Sequence, residues 1–304
     1  MATECSGKLT TASSVSLACL FAIFGFIAVF GNCVILLAIA KIPRLRSPSN
    51  WLLASLAAAD LTVGIIINPI WIARCLVEQK PHSHPFKITI DYLWLQTSAV
   101  TTFTLCLVTV DRFIAVTYVF RYGSVVTLPR CQFAAGIVWL LSLLFASARL
   151  VTTNPQSLPR LWTISMVVTF ILPFILIVFC YGKILKVAHE QRRRIRNEGP
   201  AIDLETRREI LRSAKANITA GIIIGQFIIL WVPCLVTSLV HTFTTSECLS
   251  AELRRVWIAV ELVAFVSSAS NPFIYFIRNN AFRGAIREMS RNRNENVSPG
   301  LKRS

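Results

Sequence analysis

A chain of 304 residues that is 54% hydrophobic and only 15% charged is not composed like a soluble domain, in which charged residues make up roughly 25%. Its formal charge of +16 would suit a nucleic-acid binder only if the basic residues covered a soluble surface. About 23 of the 31 lie instead in connections between apolar stretches, which is a signal of membrane topology and of attraction to anionic lipid, so no nucleic-acid partner is expected.

The first 14 residues are rich in Ser and Thr and hold no apolar stretch with a cleavage site, so they read as an extracellular N-terminus without a removable signal peptide. Stretches long enough to cross the hydrocarbon core follow near residues 15–40, 49–75, 88–119, 131–150, 159–187, 214–242 and 251–277. The expected fold is an all-α membrane protein, with a seven-transmembrane helix bundle over 15–277 and a short amphipathic helix and cytoplasmic tail over 278–304. Seven crossings put the chain ends on opposite sides, and the Lys and Arg excess after the first, third, fifth and seventh crossings puts the N-terminus outside. A multi-pass plasma-membrane protein is therefore expected.

Asp60, in the apolar run from Leu52 to Ile67 of the second stretch, must either neutralise or find polar partners. Asn32 in the first stretch, Thr101 in the third, and Ser267, Ser268 and Asn271 in the seventh are available. Such a pocket would hold a sodium ion or a proton, or would serve as a structural hydrogen-bond network. Asp91, Trp94 and Ser98 fall in the outer part of the third stretch, and Asp111-Arg112-Phe113 closes its inner end with a charge pair suited to a latch.

Along the fifth stretch Ser165 and Thr169 stand one turn apart, Pro173 weakens the helix and Tyr181 lies near the cytoplasmic end. The longest cytoplasmic loop carries Arg192-Arg193-Arg194-Ile195-Arg196 and the breakers Gly199 and Pro200, and Thr206 to Glu209 has the spacing of a capping box that would start the sixth helix. There Trp231-Val232-Pro233 joins a kink to a large ring able to pack two ways, which makes the helix a lever, with Cys234 and Ser238 above. The seventh stretch carries Glu261, Phe265 and Asn271-Pro272-Phe273-Ile274-Tyr275, and Asn279 to Arg291 has the pattern of a surface helix.

Unpaired carboxylates at Asp91 and Glu261 would favour a cationic amine or peptide, with Ser98, Ser165, Thr169 and Ser238 as polar contacts and Trp94, Trp231, Cys234 and Phe265 as apolar walls. In the opposing reading Asp91 pairs with Lys87 and the hydroxyls bond back to their own helices, which suits a lipid or other neutral ligand. Cys5, Cys75 and Cys248 face the oxidising side and allow one disulfide; Cys5 with Cys248 is preferred, although sequence does not choose the pair.

The order and spacing of these motifs resemble a rhodopsin-like G-protein-coupled receptor from Gly31-Asn32 to Phe282, through Leu56, Asp60, Asp111-Arg112-Phe113, Trp139, Pro173, Tyr181, Phe227, Trp231, Pro233 and Asn271 to Tyr275. The resemblance implies that an agonist swings the sixth helix outward, frees Arg112 and opens a cleft for the α subunit of a heterotrimeric G protein. It also marks departures. Lys87 replaces the usual cysteine of the third helix, and Arg149 to Arg160 offers no cysteine to pair with one, as in melanocortin, cannabinoid and lysolipid receptors. Trp94 stands where amine receptors place an aspartate, and Phe265 where an opsin carries its lysine, so no retinal is expected. Ser213 replaces the sixth helix's acidic partner of Arg112, with Glu209 a turn below, from which elevated basal signalling is expected. A channel or transporter would need a continuous polar path or repeats, and no nucleophile with a base or metal-spaced set marks an enzyme.

Overall fold

Each crossing starts where a polar cap or a proline meets an apolar run. Thr10 Oγ1 accepts the Ser13 N–H (3.2 Å) ahead of α1 (Thr11–Lys41), and Ser47 Oγ accepts the Asn50 N–H (3.3 Å) ahead of α2 (Pro48–Leu76). His84 Nδ1 accepts from Phe86 N–H at 3.2 Å before α3 (Pro85–Thr117), and a Leu-Pro step opens both α4 (Leu128–Val151) and α5 (Leu158–Glu190). The sixth helix, α6, runs Leu204–Phe243, and α7 (Glu247–Arg278) is capped by Ser246, whose Oγ accepts from Leu249 N–H at 3.3 Å. The computed structural model describes residues 9–77, 84–152, 154–198, 204–279, 282–284 and 287–288.

All seven helices have the length and apolar composition to cross a membrane. Helix α6 begins two residues ahead of the expected Thr206 cap, because Leu204 and Glu205 are good helix formers and extend the first turn past it. Two crossings contain a π turn that sequence reading missed, Val63–Ile67 in α2 and Val167–Ile171 in α5. Each lies just before a proline, Pro69 or Pro173, and the wider turn makes room for the ring against the carbonyl behind it.

The burial pattern inverts that of a soluble protein. Phe26 and Phe133 are each 73% exposed on the outer surface, while Asn32, Asp60 and Thr104 are fully buried within. A bundle solvated by lipid tails draws no hydrophobic drive from apolar side chains, so close approach and interior polar groups hold it together. A Cβ on Gly31 would lie 2.6 Å from Pro272 Cγ, and one on Gly64 2.6 Å from Val29 Cγ2, so α1 packs directly on α7 and α2. Trp139 Nε1 donates to Ser55 Oγ (3.1 Å) and ties α4 to α2.

Beyond α7 the backbone is helical at 282–284 and 287–288; Phe282 is buried and stacks on Tyr275, and Glu288 pairs with Arg44 at 3.0 Å. Ala285, Ile286 and Met289 of the expected surface helix lie outside the described residues, as do the side chains of Glu209 and Ser213.

Candidate functional site

The bundle interior divides into four layers along its axis. At the end where α3 begins, Asp91 is no free carboxylate: Lys87 Nζ donates to its Oδ1 (2.6 Å) and Arg149 Nε to its Oδ2 (2.9 Å). Arg149 lies in the last turn of α4 and is 1% exposed. A buried guanidinium is held there because a carboxylate and the Thr152 carbonyl (3.0 Å) receive it. This corrects the expectation of an unpaired Asp91, whose role here is to join α3 to α4.

Glu261 is 2% exposed and also fully engaged. Its Oε1 accepts from Trp257 Nε1 at 2.6 Å, and its Oε2 from Trp71 Nε1 at 2.8 Å and from Arg74, whose guanidinium carbon lies 5.7 Å from the Trp71 ring centre. The expectation of a second unpaired carboxylate is corrected too, since two indoles and a cation from α2 and α7 close around it.

Beneath lies an aromatic layer. Trp94 stacks on Trp231 with ring centres 5.4 Å apart at 28°, and meets Phe265 (5.7 Å), Trp257 (6.3 Å) and Trp71 (6.4 Å). Trp231 in turn contacts Phe170 (5.2 Å) and Phe227 (5.1 Å), while Cys234 Sγ contacts the Val260 carbonyl at 3.5 Å. The wall residues expected from sequence therefore converge. The hydroxyl protons turn back to their own helices: Ser98 donates to Trp94 O, Ser165 to Leu161 O and Thr169 to Ser165 O, at 2.6 to 2.8 Å, which leaves their oxygens as acceptors. A hydroxyl in a helix without water finds its nearest acceptor one turn back. Ser238 is half-buried toward the end of α6.

The third layer centres on Asp60, whose Oδ2 accepts from Asn271 Nδ2 at 2.7 Å. Asn271 Oδ1 accepts from Gln226 Nε2 (2.7 Å), and Gln226 Oε1 accepts from Ser270 Oγ (2.7 Å). Gln226, on α6, was not singled out in the sequence; a lone Gln on an apolar face carries no motif. Asn32 Nδ2 donates to Ser268 O at 3.0 Å, and Ser268 lies beside the Asp60 carboxylate. Thr101 is buried and makes no hydrogen bond to Asp60 among the described residues. Asp60 Oδ1 and Asn32 Oδ1 are buried oxygens without a hydrogen-bond partner among the described residues, a donor set that fits a small hard cation.

At the opposite end Arg112 donates to Asp111 through Nε (2.8 Å) and Nη2, and also to Ser49 Oγ. Tyr122, outside the crossings and also unflagged by sequence, donates to Asp111 Oδ1 at 2.8 Å. Burial and then the Asp111 carboxylate push its phenol up to about 12, so at neutral pH it remains a donor. The Tyr181 and Tyr275 hydroxyls have no partner among the described residues. Tyr181 packs near Gly221 of α6, where a Cβ would lie 3.2 Å from its ring. Pro233 stands inside α6 and Pro272 inside α7, as expected of weak points in both.

Cys248 is disulfide-bonded, whereas Cys75 is a free thiol, which rules out the pairings through Cys75; Cys5 lies outside the described residues.

The sequence profile described as "7 transmembrane receptor (rhodopsin family)" matches residues 31–275. Similar proteins include trace amine-associated receptor 6 of Homo sapiens, 28% identical over 299 residues, and of Mus musculus, 30% identical over 298; each alignment covers 88% of this chain and 84% of the relative. Trace amine-associated receptor 9 of Rattus norvegicus is 28% identical over 301 residues, covering 89% of this chain and 86% of the relative. With seven crossings, and with the Asp111-Arg112 pair, the Trp231 stack and the Asp60–Asn271 bond within the matched span, the chain belongs to the rhodopsin family of seven-transmembrane receptors.

Proposed function

We propose that the chain is a plasma-membrane receptor, N-terminus outside, that binds an amine-bearing ligand from the extracellular side and promotes nucleotide exchange on a heterotrimeric G protein, catalysing no reaction itself. The observation that carries this reading is the unbroken series of contacts along the axis: Glu261 to Trp257 and Trp94, Trp94 to Trp231, and Gln226, on the same helix as Trp231, to Asn271 and Asp60. A ligand that displaces Trp94 displaces the ring stacked on α6, and α6 is fastened to α7 one layer below. The amine class is supported by the relatives' names and by a buried carboxylate, Glu261, next to the layer of Trp94, Trp257 and Phe265, since aromatic faces attract a cation. Trp71, Trp94, Trp257 and Phe265 form its walls.

Asp60, with Asn32, Ser268 and Asn271 around it, would hold a sodium ion, which favours whichever helix arrangement keeps those oxygens together. The test is the full chain in lipid nanodiscs with purified heterotrimers and an amine panel. Amine-stimulated GTPγS uptake that Arg112→Ala abolishes is expected; no uptake above that of the heterotrimer alone, with or without any amine, would refute the reading.

A further inference from the structure

The Glu261–Arg74 pair has an asymmetry that bears on ligand class. The Glu261 side chain is 3% exposed and held by two indole N–H groups that cannot leave without moving α2 or α7. The Arg74 side chain, at 13%, is the more open member. A guanidinium carries five N–H donors in a rigid fork. Arg74 spends one nitrogen, Nη1, on Glu261 and lays its face over Trp71, so the rest of its fork is unused among the described residues.

Each simple ligand charge meets an obstacle. A bare ammonium that takes Glu261 sends Arg74 away from the carboxylate it pairs with; among the described residues the ion pairs of Arg74, Lys87 and Arg149 go to Asp91 and Glu261, two carboxylates for three cations. A bare carboxylate that draws Arg74 off leaves Glu261 buried without its cation, the costly way to break such a pair. A molecule with both charges on neighbouring atoms has neither fault: its ammonium binds Glu261 while its carboxylate takes the Arg74 fork in two parallel bonds. Its apolar remainder then meets Trp94, Trp257 and Phe265, which already pack ring against ring.

We propose that this receptor's site is built for a zwitterion, an α-amino acid with an aromatic side chain, seated between Glu261 and Arg74, and not for the decarboxylated amine. This rests on the receptor reading above and narrows its ligand. The mode separates two jobs: Glu261 with its indoles fixes the ammonium, and Arg74 selects for the neighbouring carboxylate.

The experiment uses the full chain in nanodiscs with three probes of one ring system: L-phenylalanine, phenethylamine and 3-phenylpropionate. Direct binding and GTPγS uptake by purified heterotrimer are both read. L-Phenylalanine is expected to bind roughly 10- to 100-fold tighter than either other probe, the size of one charge-assisted hydrogen-bonding group. Arg74→Gln should bring L-phenylalanine to the level of phenethylamine, and Glu261→Gln should weaken both. If either variant fails to fold, Arg74→Lys keeps the charge, loses the fork, and should narrow the preference for L-phenylalanine at least several-fold. Phenethylamine binding as tightly as L-phenylalanine, or an unchanged preference in Arg74→Lys, overturns the zwitterion inference and leaves the amine receptor standing. Failure of all three probes to bind also overturns it. The receptor reading falls separately, only if no uptake that depends on Arg112 occurs.

Discussion

Asp91→Asn should cost this receptor more than Arg149→Met, although the two residues form one ion pair. In the native chain Asp91 holds two cations, Lys87 at 2.6 Å and Arg149 at 2.9 Å. Removing the carboxylate leaves Arg149, 1% exposed, without its counter-ion in a low-dielectric interior, a change worth roughly 3–5 kcal/mol. Removing Arg149 leaves Asp91 paired to Lys87, so the carboxylate loses one charge-assisted hydrogen bond, about 1.5–3 kcal/mol, and the Thr152 carbonyl, at the end of the helix, loses its donor, part of which Met offsets by filling the space. The double variant no longer buries the Arg149 cation and should sit near Arg149→Met, so the coupling should be about the size of the Asp91→Asn cost, roughly 3–5 kcal/mol. Receptor unfolding in detergent is irreversible, so the assay is apparent Tm and inactivation half-life at one scan rate. The expected order is native, then Arg149→Met with the double variant, then Asp91→Asn. If Asp91→Asn matches Arg149→Met, or the two effects add in the double variant, the triad does not carry the load assigned to it.

Arg112→Ala should abolish agonist-driven GTPγS uptake while agonist binding is kept, as read on the same nanodisc samples. Gln226→Leu removes the side-chain bonds from α6 to Asn271 and Ser270 and should raise basal uptake roughly five-fold, from about 1 kcal/mol of lost restraint. Trp94→Ala empties the centre of the aromatic layer at a cost of roughly 3–5 kcal/mol, and added indole should recover part of the lost Tm; no recovery would mean that the layer collapses. Sodium, compared with choline at equal ionic strength, should raise the Tm of the native chain but not of Asp60→Asn.

The crossings were legible because each is an uninterrupted apolar run bounded by polar caps, and the motifs because Asp, Arg, Trp-x-Pro and Asn-Pro are costly inside a bilayer unless something uses them. Their side-chain partners were less legible. Arg149 gave no sign of its partner, because a charge near the end of a crossing reads as a boundary, yet the carboxylate it meets is 58 residues away on another helix. Gln226 and Tyr122 gave no local signal, since their importance comes only from the neighbours the bundle supplies. The π turns escaped because a proline predicts a disturbance without saying whether the helix kinks or widens. For Asp91 the sequence offered pairing with Lys87 as one of two readings, which the structure bears out, but Arg149 and the Arg74 partner of Glu261 were not foreseen: a sequence shows how many carboxylates face the site, and only the fold shows which cations reach them.

Among the described residues, the side-chain hydrogen bonds that restrain α6 lie in the middle of the bundle. Among the described residues the hydrogen bonds and ion pairs of Arg112 go to Asp111 on its own helix and to Ser49 on α2, none to α6. What fastens α6 is Gln226, bonded to Asn271 and Ser270 of α7, and Cys234, touching the Val260 carbonyl of α7. An outward swing of α6 must therefore break contacts with α7 first, and those contacts share Asn271 with Asp60. Whatever charge sits on Asp60 reaches α6 through two hydrogen bonds, while a ligand reaches it through the Trp94–Trp231 stack one layer above. On the proposed reading both inputs would act on the same helix within two turns of each other, Gln226 and Trp231 being five residues apart, an arrangement that would let an ion at Asp60 and a ligand at Trp94 bias one equilibrium in opposite directions.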